Sequence, residues 1–522
     1  MKRAYIKYSN MNENNLMRVP SDLKKSNNSR MKSIYKILAL MVVITSASCN
    51  KDLHETPIGI ITEGVAPTHT SVIYSVTSTY QLLSSTLNII GTWGWDDGTV
   101  LRNDVVLQDI ASGDMQKKWN PDGDQAWMDQ FSDFSFTASN AGINGQWSYD
   151  FDGIARANTA ISYLTDTELT TKLAFDEPTR KYLLGQVYFL RAFYYFDLVN
   201  LYGDVPLLLT PLKSFADAYS VAKSETKANV YLQISKDLDE AKTLIPEGKY
   251  SNATEKWRVS KGAVLALQAK VALYNQKWAE VITIVSAMEA LNNYSLNANY
   301  FDNFSVAKEF KDNEVILAYN HETLTTPRSG NGLCALAGWG FIAPTTNFIG
   351  AFEANDPRLG YTVDVASQNV YKLFGTLNSD NKGNDDSPSN KIYIRWADVM
   401  LWKAEALNET GSYPAAIALI NKVRERARLS VTATGTTPPA GTLPDRNVAS
   451  TDKAQIKDWL VKERRVELGF ESQRFNDLKR WNLAKTFLTG LGKNFQDKNY
   501  IYPVPQGEID KSGGSIKQNT GY

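Results

Sequence analysis

Apolar residues recur at helical spacing along much of the chain, and the clearest pattern lies at residues 391–429. In the second half of this stretch the apolar positions are Ala416, Leu419, Ile420, Val423 and Ala427. A matching stripe in the first half consists of Ile394, Ala397, Leu401 and Ala404. Between the two stripes, Gly411 is suited to end one helix and Pro414 to begin the next. The pattern predicts an antiparallel helical hairpin.

Further amphipathic segments predict more helices. We expect a first helix at residues 71–87, and later helices at 188–203, 227–245, 261–274 and 278–291, with a final pair within 454–481. A hairpin cannot bury its apolar face alone, so the pairs should stack on one another. They do not repeat at a fixed period. We therefore predict a mainly α fold, in which four tetratricopeptide-like helical hairpins form a scaffold that insertions interrupt.

Three segments lack helical periodicity and are predicted to be these insertions: residues 89–148, 292–390 and 430–450. They are rich in Gly, Asp, Asn, Thr and Pro, and the first contains several tryptophans. A buried strand is expected at 314–319, and a strand-like run at 361–365. The expectation is a loop-rich subregion with a few short strands, within a single domain that spans 71–522.

The N-terminus has the pattern of an export signal. Met31, a possible true start, precedes two lysines and then an apolar run that ends near Ile44. This run is too short to span a membrane, and small residues follow it directly before Cys49. The pattern resembles a bacterial lipoprotein signal, which predicts a signal peptide at 1–48, acylation of Cys49 and a lipidated tether at 49–70. The alternative is a plain secretory signal that leaves Cys49 free.

Charge and rare residues exclude several function classes. The chain has 56 Lys and Arg against 56 Asp and Glu, and the predicted signal removes mostly basic residues. The remaining acidic excess does not favour nucleic-acid binding. With three histidines, His54, His69 and His321, a catalytic triad or a histidine-rich metal site is not expected, and no cofactor or metal is predicted. Cys334 lies in an apolar run and is predicted to be a small buried hydrophobic residue.

Four stretches carry a resemblance to a known family. They are YFLRAFYYFDLVNLYGDVPLL (188–208), YIRWADVMLWKAEALNE (393–409), ERRVELGFESQRFNDLKRW (463–481), and YPVPQGEID (502–510) with the terminal QNTGY. In this order, behind a lipoprotein signal, they resemble the SusD/RagB family of outer-membrane lipoproteins known from Bacteroidetes. Ser472 stands where the family often has Gly, and Thr520 where it often has Pro. In the third stretch, the spacing of Asp477 from Arg474 and from Arg480 predicts ion pairs.

The resemblance implies a function. Members of the family are non-catalytic, nutrient-binding lipoproteins that face the cell exterior. They act as a lid on a SusC-like TonB-dependent transporter, to which they deliver oligosaccharides. Two alternatives remain open. The second function considered is that of a structural or adhesive surface lipoprotein, and the third is that of a glycan hydrolase, for which the many acidic residues offer carboxylate pairs.

Tryptophans in irregular, glycine-flanked segments are the candidate binding residues. Sugar rings stack on aromatic planes, and their hydroxyls need polar neighbours. Two clusters offer this mixture: Trp93, Trp95, Asp96 and Asp97, and Trp339 with Phe341. The alternative is that these rings attach loops to the helical scaffold. The two interpretations predict partly exposed and buried indoles, respectively.

Overall fold

The computed structural model describes residues 66–91, 93–118, 123–212 and 214–522. The predicted signal peptide at 1–48, Cys49 and the tether up to residue 65 lie outside these ranges, as does Trp119. Within the described ranges, no helix is both long enough and apolar enough to cross a membrane.

Helices account for most of the regular structure. The α-helices are α1 (His69–Tyr80), α2 (Ala126–Asp133), α3 (Ala141–Thr165), α4 (Thr167–Lys172), α5 (Glu177–Tyr202), α6 (Phe215–Val221), α7 (Lys227–Leu244), α8 (Lys261–Tyr274), α9 (Trp278–Leu291), α10 (Leu333–Trp339), α11 (Thr346–Ile349), α12 (Arg358–Thr362), α13 (Tyr371–Phe374), α14 (Trp396–Glu409), α15 (Tyr413–Leu429), α16 (Lys453–Glu467), α17 (Arg474–Arg480), α18 (Ala484–Gly490) and α19 (Gln506–Lys511). A π-helical turn lies at Val106–Ile110, and 3-10 turns lie at Gln81–Leu83, Tyr300–Asn303, Val306–Lys308 and Asp497–Tyr500.

The strands are short and form antiparallel pairs. They are β1 (Met115–Gln116), β2 (Val205–Pro206), β3 (Ser224–Glu225), β4 (Val315–Tyr319), β5 (Ala343–Pro344) and β6 (Lys391–Arg395). The pairs are β1 with β5, β2 with β3, and β4 with β6. The prediction of a mainly helical fold with a few short strands is confirmed, and so is the strand predicted at 314–319.

The predicted hairpins form the scaffold where the apolar period is strong. Helices α8 and α9 match the predicted bounds, and α14 packs against α15. Between α14 and α15, Gly411 has φ +85° and Pro414 lies in the first turn of α15. The left-handed φ explains the glycine, since other residues adopt it at a cost. Helix α5 pairs with α7 as predicted but begins earlier, where Asp176 accepts a hydrogen bond from the Thr179 N–H.

Three predictions about secondary structure are wrong. Residues 361–365 are not a strand, because α12 continues to Thr362. Ile394 belongs to β6 and pairs with Leu317, so α14 starts later than its apolar stripe indicated. In the last predicted pair, α17 packs mainly on the 106–110 turn and α18, so it is not the second arm of a hairpin with α16.

Two of the predicted insertions contain more order than expected. Helix α3 begins within the first, where Gly142 and Gly145 interrupt the apolar period; a Cβ on Gly145 would lie 2.0 Å from the Gly98 carbonyl. In the third insertion, Leu443 is buried. The guanidinium of Arg424 also donates to the neighbouring Pro444 carbonyl at 3.0 Å. Packing against the scaffold therefore fixes part of each segment.

A buried ionic network joins the scaffold to the second insertion. The Glu467 carboxylate accepts hydrogen bonds from Arg395 (2.7 Å), Arg358 (2.9 Å) and Arg426. Arg395 and Arg426 also bind Glu314, at 2.7 Å each. Burial would raise the pKa of Glu467, but the three guanidinium groups hold it well below its usual value. The network therefore links β6, α15 and α16 to α12 and to the residue that directly precedes β4.

The predicted ion pairs around Asp477 are half right. Asp477 binds Arg480 at 2.9 Å, as its spacing predicted. Its other guanidinium partner is Arg464, at 2.8 Å. Arg474 instead donates to the Val461 carbonyl. The sequence spacing alone could not show that Arg464, on α16, pairs with Asp477 in place of Arg474.

Candidate functional site

The loop that carries Trp95 is fixed on the start of α3. The Asn88 N–H donates to the Val100 carbonyl at 2.7 Å and closes the loop. Gly98 has φ +74°, and a Cβ there would lie 1.9 Å from the Ala141 carbonyl oxygen. Only glycine allows so close an approach at this φ. The loop is therefore held by contacts that a larger residue would break.

The segment that carries Trp339 and Phe341 is fixed independently. Gly340, with φ +86°, ends α10, and its carbonyl accepts a hydrogen bond from the Lys118 N–H at 2.8 Å, next to the β1–β5 pair. On the other side, a Cβ on Gly338 would lie 2.3 Å from the Gly383 amide nitrogen. Backbone contacts on two sides therefore position both rings.

The structure brings Trp95, Trp339 and Phe341 together, and we name these three rings the aromatic platform. The Trp95 centroid lies 5.4 Å from that of Phe341 and 6.4 Å from that of Trp339, with an angle of 59° between the two indoles. Phe341 is buried, Trp95 is half-buried and Trp339 is 41% exposed. Phe341 thus supports two indoles that remain partly accessible.

The other candidate residues of this region have different surroundings. Trp93 is 56% exposed, and among the ring contacts of the described residues none joins it to the platform. Asp96 and Asp97 are exposed beside Trp95. One Asp97 carboxylate oxygen accepts hydrogen bonds from the Thr99 N–H (3.0 Å) and hydroxyl (2.6 Å). Asp97 therefore shapes the turn, and Asp96 is the freer of the two to meet a ligand.

Two family models match this chain. The model described as "SusD family" matches residues 367–522, and one described as "Starch-binding associating with outer membrane" matches residues 80–273. The chain belongs to the SusD/RagB family. The second matched range includes the Trp95 loop, and both ranges include scaffold helices.

Individual relatives of this SusD/RagB-family protein align over most of its length. A SusD-like protein of Formosa agariphila is 24% identical over 540 residues, which are 94% of this chain and 99% of the relative. A solved structure of a laminarin-binding SusD-like protein is 24% identical, with a TM-score of 0.68 over 87% of this chain and 100% of that one. Surface glycan-binding protein A from Bacteroides thetaiotaomicron, solved in complex with laminarihexaose, is 20% identical, with the same TM-score and coverage. The solved structures confirm the fold.

Sequence reasoning missed two lysines beside the platform of this SusD/RagB-family member. The Lys117 ammonium lies 5.9 Å from the Phe341 ring centroid and binds the Asp129 carboxylate at 3.1 Å. Lys118 donates from its side chain to the Ser367 carbonyl at 3.2 Å. Both follow β1 in an irregular segment next to Trp119, and that tryptophan was the one available signal.

The side chains around the platform include aromatic rings, carboxylates and a thiol. Cys334, in the helix that carries Trp339, is fully buried as predicted, and burial raises the pKa of its thiol. Such a cysteine is a poor nucleophile. Among the described residues, no group of three or more His, Cys, Asp or Glu side chains could hold a metal ion. What the site offers is two inclined indole faces with an exposed carboxylate beside them.

Proposed function

We propose that this SusD/RagB-family protein binds an oligosaccharide on the aromatic platform, without catalysis, at the outer surface of the outer membrane. The observation that carries the proposal is the contact among Trp95, Trp339 and Phe341, three rings from two segments that are far apart in the sequence. A sugar ring presents a flat C–H face that stacks on an aromatic plane. The laminarin-binding and laminarihexaose-bound relatives support the same ligand class.

The surroundings of the platform support binding rather than hydrolysis. Glycoside hydrolysis requires two carboxyl groups placed on either side of the scissile bond. Asp97 is committed to the Thr99 turn. The buried Glu467 of the scaffold is engaged by arginines, which keep it ionised. The names of the two solved relatives reported above also refer to binding and not to an enzymatic activity.

Location and partner form the second part of the proposal. Acylation of Cys49 anchors the protein, and a SusC-like TonB-dependent transporter receives the oligosaccharide. The family description as associating with the outer membrane supports this placement. Replacing Cys49 with alanine should release the protein from the membrane fraction and abolish fatty-acid labelling. Co-purification of a large transporter with the wild-type protein tests the partner.

The binding site is tested with tryptophan variants and a polysaccharide panel. Laminarin, starch, xylan and arabinogalactan are included in native gels, and retardation of the protein measures binding. We expect Trp95→Ala and Trp339→Ala to weaken binding by at least about tenfold, since stacked aromatic contacts are binding hot spots. The melting temperature should change little, because both indoles are partly exposed.

The matched control is Trp459→Ala, which removes a half-buried tryptophan from α16 on the scaffold. It should bind as the wild type does. Normal binding by both platform variants would exclude the platform as the site. If the protein releases reducing ends from the polysaccharide that retards it in the gel, the function is hydrolysis and not binding alone. A lack of retardation by every polysaccharide, together with aggregation of cells that carry the protein, would favour the adhesive alternative.

A further inference from the structure

The protein has a surface groove whose lining does not include the three rings of the aromatic platform. It has a volume of about 730 Å³, within the size range of ligand pockets of about 300–1,000 Å³. Its walls come from two of the insertions, and six residues define it for the argument below: Asp364, Val365, Tyr371, Leu377, Thr434 and Thr436. We name it the threonine groove.

One wall of the threonine groove is a turn with a cluster of hydroxyl groups. The Thr432 hydroxyl lies 3.0 Å from that of Thr434 and 2.7 Å from that of Thr436. The Thr432 N–H closes the turn on the Thr436 carbonyl at 2.7 Å, and the Tyr361 hydroxyl holds the Val431 carbonyl at 2.7 Å. Each hydroxyl can donate one hydrogen bond and accept two, so the three have capacity beyond their mutual contacts.

The charges of the groove are already satisfied. Asp364 accepts hydrogen bonds from the Ser367 hydroxyl at 2.7 Å and the Tyr371 hydroxyl at 3.3 Å, and these bonds, led by that of Ser367, lower the pKa of Asp364. Asp356, at the groove edge, is paired with Arg358 at 2.7 Å. Among the described residues, no lysine or arginine lines the groove. An anionic ligand would therefore find no cation, whereas a neutral polyhydroxylated ligand finds hydroxyls.

The groove also offers apolar contact. Val365 is 50% exposed and Leu377 is 38% exposed, and the half-buried ring of Tyr371 lies in the same lining. Hydroxyl groups beside small apolar patches match the two kinds of surface that a sugar presents. The lining thus fits a neutral glycan better than a peptide with charged side chains or a phosphate.

Hydrogen bonds of two residues, Lys118 and Gly383, link the surroundings of the groove to those of the platform. Lys118 donates its backbone N–H to Gly340, between the rings of the platform, and its side chain to Ser367, whose hydroxyl holds Asp364 of the groove. Along the chain, Leu377 lines the groove, and the Gly383 N–H, six residues later, donates to the Cys334 carbonyl in α10 at 2.9 Å. Six residues span at most about 20 Å.

We propose that the threonine groove extends the glycan site. When the first sugar units of a polysaccharide stack on the aromatic platform, later sugar units contact the Thr432–Thr436 turn. The inference rests on the proposed function and adds to it: the ligand is a neutral polysaccharide chain longer than the platform can cover. Groove contacts therefore contribute to the affinity for long chains and not to that for short ones.

The test compares long and short ligands in a groove variant. Thr434→Val keeps the shape of the side chain and removes its hydroxyl, and the double variant with Tyr371→Ala removes the ring as well. The control is Thr243→Val, an exposed threonine on α7. The panel polysaccharides and trisaccharides prepared from them are titrated against each variant by calorimetry. We expect the double variant to lose roughly tenfold in affinity for the polysaccharide and to bind the trisaccharide normally.

The outcomes separate this inference from the proposed function. Unchanged polysaccharide binding by the double variant, with Trp339→Ala defective, overturns the groove and leaves the platform standing. Equal losses for trisaccharide and polysaccharide also overturn it, because the groove would then act on the platform itself. If no member of the panel binds the wild type, both proposals fail. A melting temperature equal to that of Thr243→Val ensures that the variant is folded.

Discussion

Substitution of Glu467 by glutamine should destabilise the protein strongly, although the side chain keeps its shape. Glu467 is fully buried and accepts hydrogen bonds from Arg358, Arg395 and Arg426. The amide removes the negative charge and points an N–H₂ group at a guanidinium. Removing one partner of a buried ion pair costs about 3–5 kcal/mol. Each hydrogen bond to a charged group contributes about 1.5–3 kcal/mol, so losing one or two agrees with that range.

The matched control is Glu425→Gln on the neighbouring helix α15. The Glu425 side chain is 56% exposed and lies 4.0 Å from Arg428, a surface pair of about 0–1 kcal/mol. Urea unfolding followed by far-ultraviolet circular dichroism measures both variants at low salt, because guanidinium chloride would screen the charges. We expect a difference of at least about 3 kcal/mol between the two variants.

The pH dependence of this difference in the free energy of unfolding is the result that could refute the reasoning. The pKa of Glu467 is held low in the folded protein, so its contribution is complete above the pKa of an unfolded glutamate, about 4.3. It declines as the pH falls below that value. If Glu467→Gln loses less than about 1 kcal/mol at pH 7, or if its deficit persists unchanged at pH 3, the carboxylate does not hold the network as described.

Two further predictions concern the packing of the scaffold and a buried histidine. Ala404→Phe should lower the free energy of unfolding by about 1–3 kcal/mol through overpacking, whereas Lys403→Phe, at a partly exposed position, should not; equal losses in urea would mean that the buried face is misassigned. Burial lowers the pKa of His321 to about 3, so protonation of the unfolded chain below pH 6.5 should cost the wild type about 2 kcal/mol between pH 7 and pH 5. His321→Asn should lack that part of the pH dependence, and parallel curves for the two proteins would contradict it.

Strong periodicity made the scaffold predictable. Residues 261–291 contain two uninterrupted apolar stripes and a short break, and both helices have the predicted ends. Where tertiary contacts decide the conformation, the same reasoning failed. Ile394 continues a helical stripe, but its backbone pairs with Leu317 in a strand. Gly145 interrupts the period of α3 because the Gly98 backbone packs directly against it.

The candidate site was predictable in its residue types and not in its assembly. Trp95 and Trp339 were identified because each lies in an irregular, glycine-flanked segment, and their clusters combine aromatic and polar side chains that suit a sugar ring. Their contact depends on Gly98 fitting against Ala141 and on the pairing of β1 with β5, neither of which has a local signal. The threonine groove was not predicted, since exposed threonines in a loop are common in any surface segment.

The construction of the platform also determines when it can form during folding. Trp95 and Trp339 are far apart in the sequence. The start of α3 holds the loop of Trp95, whereas Lys118 and Gly383 hold the segment of Trp339. Contacts of this kind carry a large loop-closure entropy and form late, after local helices. Helices such as α8 and α9 can therefore appear while the site is still absent. A partially folded chain would retain most of its circular dichroism and yet be unable to bind, so helical content is a poor measure of functional protein.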